Sequence, residues 1–497
     1  MQYRSTRGSI TEALNSPQTV IQGLAPDGGL FVPVDFPKVN LPLKNLSRMN
    51  YQEIAQLVLS WFFDDLAPEQ LTTIVKDAYG SQWEQDAIAP VSAQHSGNYY
   101  LELFHGPTLA FKDIALQALP RLMKRALTIE QINNQIIILT ATSGDTGTAS
   151  MRGFSNQEGT QVIVFYPHGG VSPVQLHQML GQRGQNLTAI AIDGNFDDAQ
   201  TAVKAIFNNQ SFNQELRQNG FQFSSANSMN IGRLVPQIVY YLSAYGQLVR
   251  RNVIQAGEPL NFAVPTGNFG DILAGYYAKK LGLPINRLIC ASDENNVLTD
   301  FFNSGKYDRQ RPFYLTNSPA MDILVSSNLE RLLFDLYDEN ATEVKILMDQ
   351  LNQSGSYQIS SSVLGKLSAT FNAGFATQKQ VLQEIDKIYA QNSYAIDPHT
   401  AVASFVARQY QSQHRDDTPM VIVSTASPYK FPETVYKAIT GKEIATSGLA
   451  AIKQLQSVLK QPLNANVQQL FEQSSKAEQV IEPSAMAATI SEILKLK

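Results

Sequence analysis

With a single cysteine in 497 residues, the chain can form no disulfide within itself. That thiol, Cys290, lies in the apolar stretch Arg287-Leu-Ile-Cys-Ala and reads as a core residue. Nothing else suggests a secreted, disulfide-stapled protein. Histidine is also scarce. The six, at 95, 105, 168, 177, 399 and 414, have neither metal-ligand spacing nor cysteine partners, so no metal is expected. Charge is sparse at 16% of residues, and the formal net charge is only -5. That balance gives no electrostatic reason to expect nucleic acid or an anionic membrane as partner. No apolar run approaches the ~18 residues of a membrane helix. The opening MQYRSTRGSITEALNSPQ has arginines but no apolar segment behind them, unlike a signal peptide. The expectation is a cytoplasmic protein, with a small anionic ligand still open because a pocket's field is local. The Walker, G-x-G-x-x-G and nucleophile-elbow patterns are absent, as is any repeat at a solenoid period.

What is present is a globular composition, 43% hydrophobic, on a chain too long for one core. Residues 1–97 mix short apolar segments with Gly and Pro, plus a helical pattern from Tyr51 to Phe63, and read as a small N-terminal domain. From residue 98 the texture changes. β-branched runs begin at Gln135, Gln161 and Leu187, with two more at Leu260–Val264 and Pro419–Ser424. Continuous apolar runs separated by helix-length segments predict parallel strands covered on both faces. A long helix is predicted over Arg233–Val249, with Leu234, Ile238, Tyr241, Leu242, Tyr245 and Leu248 on one buried side. The fold class is therefore α/β: a core of more than one lobe over 98–440 and a helical C-terminal segment over 441–497, packed on its own domain.

Four segments carry chemistry. In Glu102-Leu-Phe-His-Gly-Pro-Thr-Leu-Ala-Phe-Lys-Asp113 a strand ends in a Gly-Pro loop, and a helix starts at Lys112. Open α/β sheets place their sites at such junctions. Leu109, Ala110 and Phe111 would desolvate the amine and lower its pKa, as a Schiff-base lysine requires; a snorkelling surface lysine is the plainer alternative. Thr140-Ala-Thr-Ser-Gly-Asp-Thr-Gly-Thr-Ala-Ser150 runs from strand to helix through small polar residues, and offers N–H groups and hydroxyls to an anion, or simple caps. Val264-Pro-Thr-Gly-Asn-Phe-Gly-Asp271 repeats that arrangement, its glycines admitting a phosphate close to the backbone. In Ser424-Thr-Ala-Ser-Pro-Tyr-Lys-Phe431 a hydroxyl at a strand's carboxyl end could bond a pyridine nitrogen. His399, in Asp397-Pro-His-Thr-Ala, reads as a helix-start residue near the sheet edge.

In this order the motifs resemble the threonine synthase family, in its longer bacterial and fungal form, within the tryptophan-synthase β-like (fold type II) pyridoxal-phosphate enzymes. Gly23-Leu-Ala-Pro-Asp-Gly-Gly-Leu-Phe-Val-Pro, Ser225-Ala-Asn-Ser-Met-Asn, Asn317-Ser-Pro-Ala-Met-Asp and Asp397-Pro-His-Thr-Ala-Val-Ala extend the resemblance over most of the chain. It implies that Lys112 holds pyridoxal 5'-phosphate covalently. Gly267, Asn268, Phe269, Gly270 and Asp271 would surround the cofactor phosphate, and Thr425 would face the pyridine nitrogen. Ser143, Gly144, Asp145 and Thr146 would hold the substrate carboxylate and face the cofactor's O3'. Relatives in this fold often have Asn where Asp145 stands. Ser427 and Tyr429 also depart from the His-Pro-Ala-Lys-like pattern of some members.

The implied reaction converts O-phospho-L-homoserine and water to L-threonine and phosphate, in threonine biosynthesis, by γ-elimination and then β-addition of water. A second phosphate must bind, for which Ser228, Asn230, Arg233 and Lys430 are the candidates; a helix-start salt bridge is the alternative role for Arg233. The family also implies that the lobe around 140–220 closes over the site. A catabolic phospho-lyase releasing a keto acid and phosphate would share the same lysine and loop. A cofactor-free scaffold would be expected to have lost them. Monomer and homodimer are equally open.

Overall fold

The runs at 135, 161 and 187 are apolar at consecutive positions, so each strand must be covered on both faces. In the computed structural model, which describes residues 1–8 and 12–496, they form the strands Gln135–Ala141, Thr160–Pro167 and Leu187–Ile192. These are the middle of a parallel sheet in the smaller lobe, flanked by Phe221–Ser224 on one edge and Val480–Ile481 on the other. The other two runs belong to a second parallel sheet, in the larger lobe. Its order is Phe371–Phe375, Ile285–Ser292, Leu260–Pro265, Met420–Ser424, Tyr99–Glu102. What looks like one alternating pattern in sequence is thus shared between two sheets. Cys290 lies in the Ile285–Ser292 strand, fully buried, and burial pushes its thiol up to about 12. An inert core thiol is the result.

The predicted central helix spans Ile231–Arg250 and is buried on nearly every side. It packs against helices Tyr51–Phe62, Lys112–Ile129 and Gly270–Lys280. The N-terminal residues also form a three-stranded antiparallel sheet of Leu14–Asn15, Gln2–Ser5 and Phe31–Pro33. Their apolar side chains join the cluster around the central helix, so Phe62, Tyr79 and Leu234 share one core. The lobes touch where helix Asp145–Phe154 lies on helix Lys112–Ile129. Gly153 permits this approach, since a Cβ there would collide with the Leu116 carbonyl.

The C-terminal segment packs on both lobes. Ile452, Leu455, Val467 and Leu470, from helices Leu449–Leu459 and Ala465–Glu472, are buried with Ile289 and Ile422 of the larger sheet. Beyond them, Val480–Ile481 extends the smaller sheet, and helix Met486–Leu494 buries Met486, Ile490 and Leu494 against Ile137 and Ile163. Among the described residues no helix is long and apolar enough to cross a membrane.

One contact ties the C-terminal segment to the loop before Lys112. His105 sits between Glu102 at 2.8 Å and Glu84 at 3.4 Å, while Asn466 donates to the carbonyls of His105 (3.3 Å) and Gly106 (3.1 Å). Burial alone would lower the imidazole, but hydrogen bonds to the two carboxylates outweigh it and raise the group to about 9. A raised histidine stabilises the fold fully below its unfolded value and loses that contribution as pH climbs through the folded one. The unfolding free energy of the wild type, measured by urea titration, should therefore fall between pH 6.5 and 9 by an amount on the order of 2 kcal/mol. In His105→Asn that part of the decline should be absent.

Candidate active site

Lys112 is the first residue of its helix because the preceding loop is fixed on both sides. Leu103 N–H donates to Ser424 O at 2.9 Å, Phe111 N–H to Thr425 O at 2.8 Å, and Ser427 N–H returns to Leu109 O at 3.0 Å. Leu109 takes the left-handed conformation (φ 64) to make the turn. The neighbouring Asp113 is fully buried and caps the same loop, accepting from Thr108 N–H and Oγ1, both at 2.7 Å. Burial lifts its carboxyl to about 6. Lys112 itself is neither at the surface nor snorkelling, with 12% of its side chain exposed. Burial lowers its pKa; Asp145 opposes that shift, while Arg233 and Lys430 add to it.

Asp145 is the residue Lys112 meets, Nζ to Oδ2 at 3.5 Å. Burial alone would raise this carboxyl, but Lys430 at 2.9 Å and Lys112 hold it well below the usual range. Gln175 Nε2 donates to the same Oδ1 at 2.8 Å. The loop before Asp145 folds around Thr142, whose hydroxyl accepts from the N–H groups of Gly144 (3.0 Å) and Gly147 (2.9 Å). Gly144 has φ 131, and a Cβ on it would collide with the Gln175 side chain.

Across a cavity of about 1220 Å³ lies the glycine-rich turn at 266–271. Its carbonyls point away: Gly267 O accepts from Ser326 Oγ at 2.6 Å, and Asn268 O from Asn328 N–H and Nδ2, both at 3.1 Å. Phe269, left-handed at φ 66, then starts helix Gly270–Lys280. The Leu273 N–H bonds back to Phe269 O, so those of Gly270, Asp271 and Ile272 have no acceptor within the helix. The Asp271 carboxylate would repel an anion here, but it is turned into the core. Tyr240 OH at 2.6 Å and Tyr241 OH at 2.9 Å hold its Oδ1; Oδ2 has no partner among the described residues, and burial raises the group to about 6.

The third wall carries Ser228 and Arg233. Arg233 is 3% exposed and donates to Ala226 O at 2.8 Å, while its Nε has no partner among the described residues. Among the described residues no carboxylate pairs with it, so the helix-start salt bridge is not formed. Burial lowers the guanidinium to about 10. A buried cation on a cavity wall without a counter-ion is costly unless an anion joins it.

The cavity therefore gathers Lys112, Ser143, Asp145, Thr146, Ser228, Arg233, Gly267, Asn268, Phe269, Gly270, Asp271 and Thr425. Three other candidates lie behind its wall. Gly144 is enclosed by Gln175. Asn230 is a buried helix cap, giving its amide to Val20 O (2.9 Å) and Ser225 O (3.1 Å) and accepting from Gly232 N–H (2.9 Å). Lys430 is fully buried on Asp145 and Thr108 O. His399, read only as a helix-start residue, lines the cavity; its Nδ1 meets Asp397 at 2.7 Å and its Nε2 accepts from Ala320 N–H at 3.2 Å. Gln175 had no signal in the sequence at all, lying outside every motif.

A covalently held pyridoxal phosphate fits these residues. The amine is desolvated, the helix start opposite offers unpaired N–H groups, and the nearest carboxylate faces away. At Gly270 a Cβ would have nothing closer than 3.5 Å, so the turn is open where a phosphate would approach.

Residues 2–79 match the family of the threonine synthase N terminus, 88–350 that of pyridoxal-phosphate dependent enzymes, and 400–490 the threonine synthase C-terminal family. The human protein "Threonine synthase-like 1" is 41% identical over 438 residues, covering 86% of this chain but 58% of its own length. Threonine synthase of Pseudomonas aeruginosa is 39% identical over 447 residues, 89% of this chain and 91% of that one. The crystal structure of PLP-bound threonine synthase from Brucella melitensis superposes with a TM-score of 0.87 at 36% identity, covering all of both chains.

Proposed function

The chain belongs to the threonine synthase family, and from that premise we propose that it makes L-threonine and phosphate from O-phospho-L-homoserine and water. Pyridoxal phosphate would be held on Lys112, with its phosphate at the Gly267–Asp271 turn and its ring facing Thr425. The observation that carries the reading is that one cavity holds two separate places for an anion beside a desolvated amine. One is the helix start at Gly270 and the other the Arg233 guanidinium, which has no carboxylate partner among the described residues. A cofactor phosphate and a substrate phosphate need both.

Bound there, the cofactor supplies an electron sink for carbanion chemistry next to the amino group. The protein's part is proton transfer, binding and exclusion of water. Lys112 Nζ, its pKa lowered by burial, can accept a proton from Cα. Asp145, kept ionised, orients that amine. Arg233 and Ser228 hold the substrate's phosphate until it leaves from Cγ. Ser143 and Thr146, which line the same cavity, would hold the substrate carboxylate. Closure of the smaller lobe over the cavity, which would keep reactive species from bulk water, is part of the same proposal. So is a cytoplasmic location, which rests on the sequence alone.

The test is product analysis. The purified chain with pyridoxal phosphate and O-phosphohomoserine should release threonine and phosphate in equal amounts. A keto acid with phosphate, and no threonine, would replace this reading with the catabolic phospho-lyase.

A further inference from the structure

The charges beside Lys112 cross the seam between the lobes. Asp145 opens a helix of the smaller lobe, and Lys430 follows the Met420–Ser424 strand of the larger one. Their side chains, 4% and 0% exposed, meet at 2.9 Å. That contact and the one from Gln175 at 2.8 Å both fall on Asp145 Oδ1, which leaves Oδ2 for Lys112 at 3.5 Å. Lys430 also donates to Thr108 O at 2.7 Å, a carbonyl shared with Gln178 of the smaller lobe at 3.2 Å. Lys430 could reach a substrate only by abandoning Asp145.

We infer that Lys430 is a positioning residue for Lys112. It anchors Asp145 from the opposite lobe, so that the carboxylate orients the amine without closing on it and locking it as an ammonium ion. Without Lys430, Asp145 has Lys112 as its one cationic partner, and the shorter pair that forms keeps the amine protonated. The other charged groups around Lys112 are Arg233 from the central helix and Asp271 from the helix at 270, and neither changes in such a variant. This goes beyond the proposed reaction, because it concerns the free amine and can be read without substrate.

The experiment follows acetylation of Lys112 in the full chain against pH, by peptide mass spectrometry, before pyridoxal phosphate is added. Lys430→Met should move the titration of Lys112 upward by about one unit, slowing acetylation at pH 8 by about tenfold. Asp145→Asn should move it downward and speed the labelling, and Lys430→Arg should stay near the wild type. After loading with pyridoxal phosphate, the pH dependence of the visible absorption band should shift in the same directions. The inference fails if folded Lys430→Met keeps the wild-type profile, or if both neutral variants shift Lys112 the same way, as general loosening would. Should Lys430→Met not fold, Asp145→Asn decides, and a missing downward shift overturns the idea. A wrong reaction assignment would show differently, as absent threonine with the titration shifts intact.

Discussion

Lys112→Ala should fold normally, bind no cofactor covalently, and lose turnover of O-phosphohomoserine by ~10⁴-fold or more. Two separate contributions stand behind that size. A positioned general base is worth about 10²–10⁴-fold by itself, and the same side chain also carries the covalent attachment of the cofactor. The fold should survive because Lys112 opens its helix without capping it, while Asp113 and Thr108 fix the loop. Removing a desolvated cation also relieves a burial cost. Two measurements separate chemistry from collapse. The thermal midpoint should stay within a few degrees of the wild type, and the visible band that borohydride bleaches in the wild type should be missing. If the variant keeps the band, the cofactor is attached elsewhere.

Arg233→Met should show the second largest effect, and of a different kind. Truncating one partner of a buried charge pair costs about 2–5 kcal/mol, so kcat/KM should fall by at least about 30-fold. The loss should appear in the binding of anions as much as in turnover, so inorganic phosphate should weaken as a competitive inhibitor by a similar factor. Stability of the ligand-free protein should not fall, since among the described residues the guanidinium has one backbone hydrogen bond and no counter-ion. Unchanged phosphate inhibition in a folded Arg233→Met would remove this residue from the substrate phosphate site.

Much of this arrangement is legible in the sequence, for reasons that can be given element by element. Strands covered on both faces read as unbroken β-branched runs, which is why Gln135–Ala141 and Thr160–Pro167 stand out. The central helix reads as well, because an element buried on nearly every side carries few charges. Val480–Ile481 does not, because two residues at a sheet edge have no periodicity. The same limit applies at the site. Lys112 and the glycine turn sit where a strand passes into a helix, and such junctions carry recognisable residues. Which side of the wall a side chain occupies is decided by tertiary packing. Lys430 and Arg233 are equally basic in the sequence, yet one is neutralised across the seam and the other is left facing the cavity. Gln175 shows the limit most clearly, since only the folded chain brings it to Asp145.

The strap that joins the two lobes also orders events during synthesis. The smaller sheet takes its last strand from residues translated long after the rest of it, and helix Met486–Leu494 completes the same core. On the ribosome, the Leu187–Ile192 strand therefore waits as an unpaired edge while the other four strands of the larger sheet, all later in the chain than Tyr99–Glu102, are made. Open edges of this kind invite pairing with other chains. A nascent chain stalled before residue 480 would already have its lysine and glycine turn, but its smaller lobe would be unfinished and prone to associate with its neighbours.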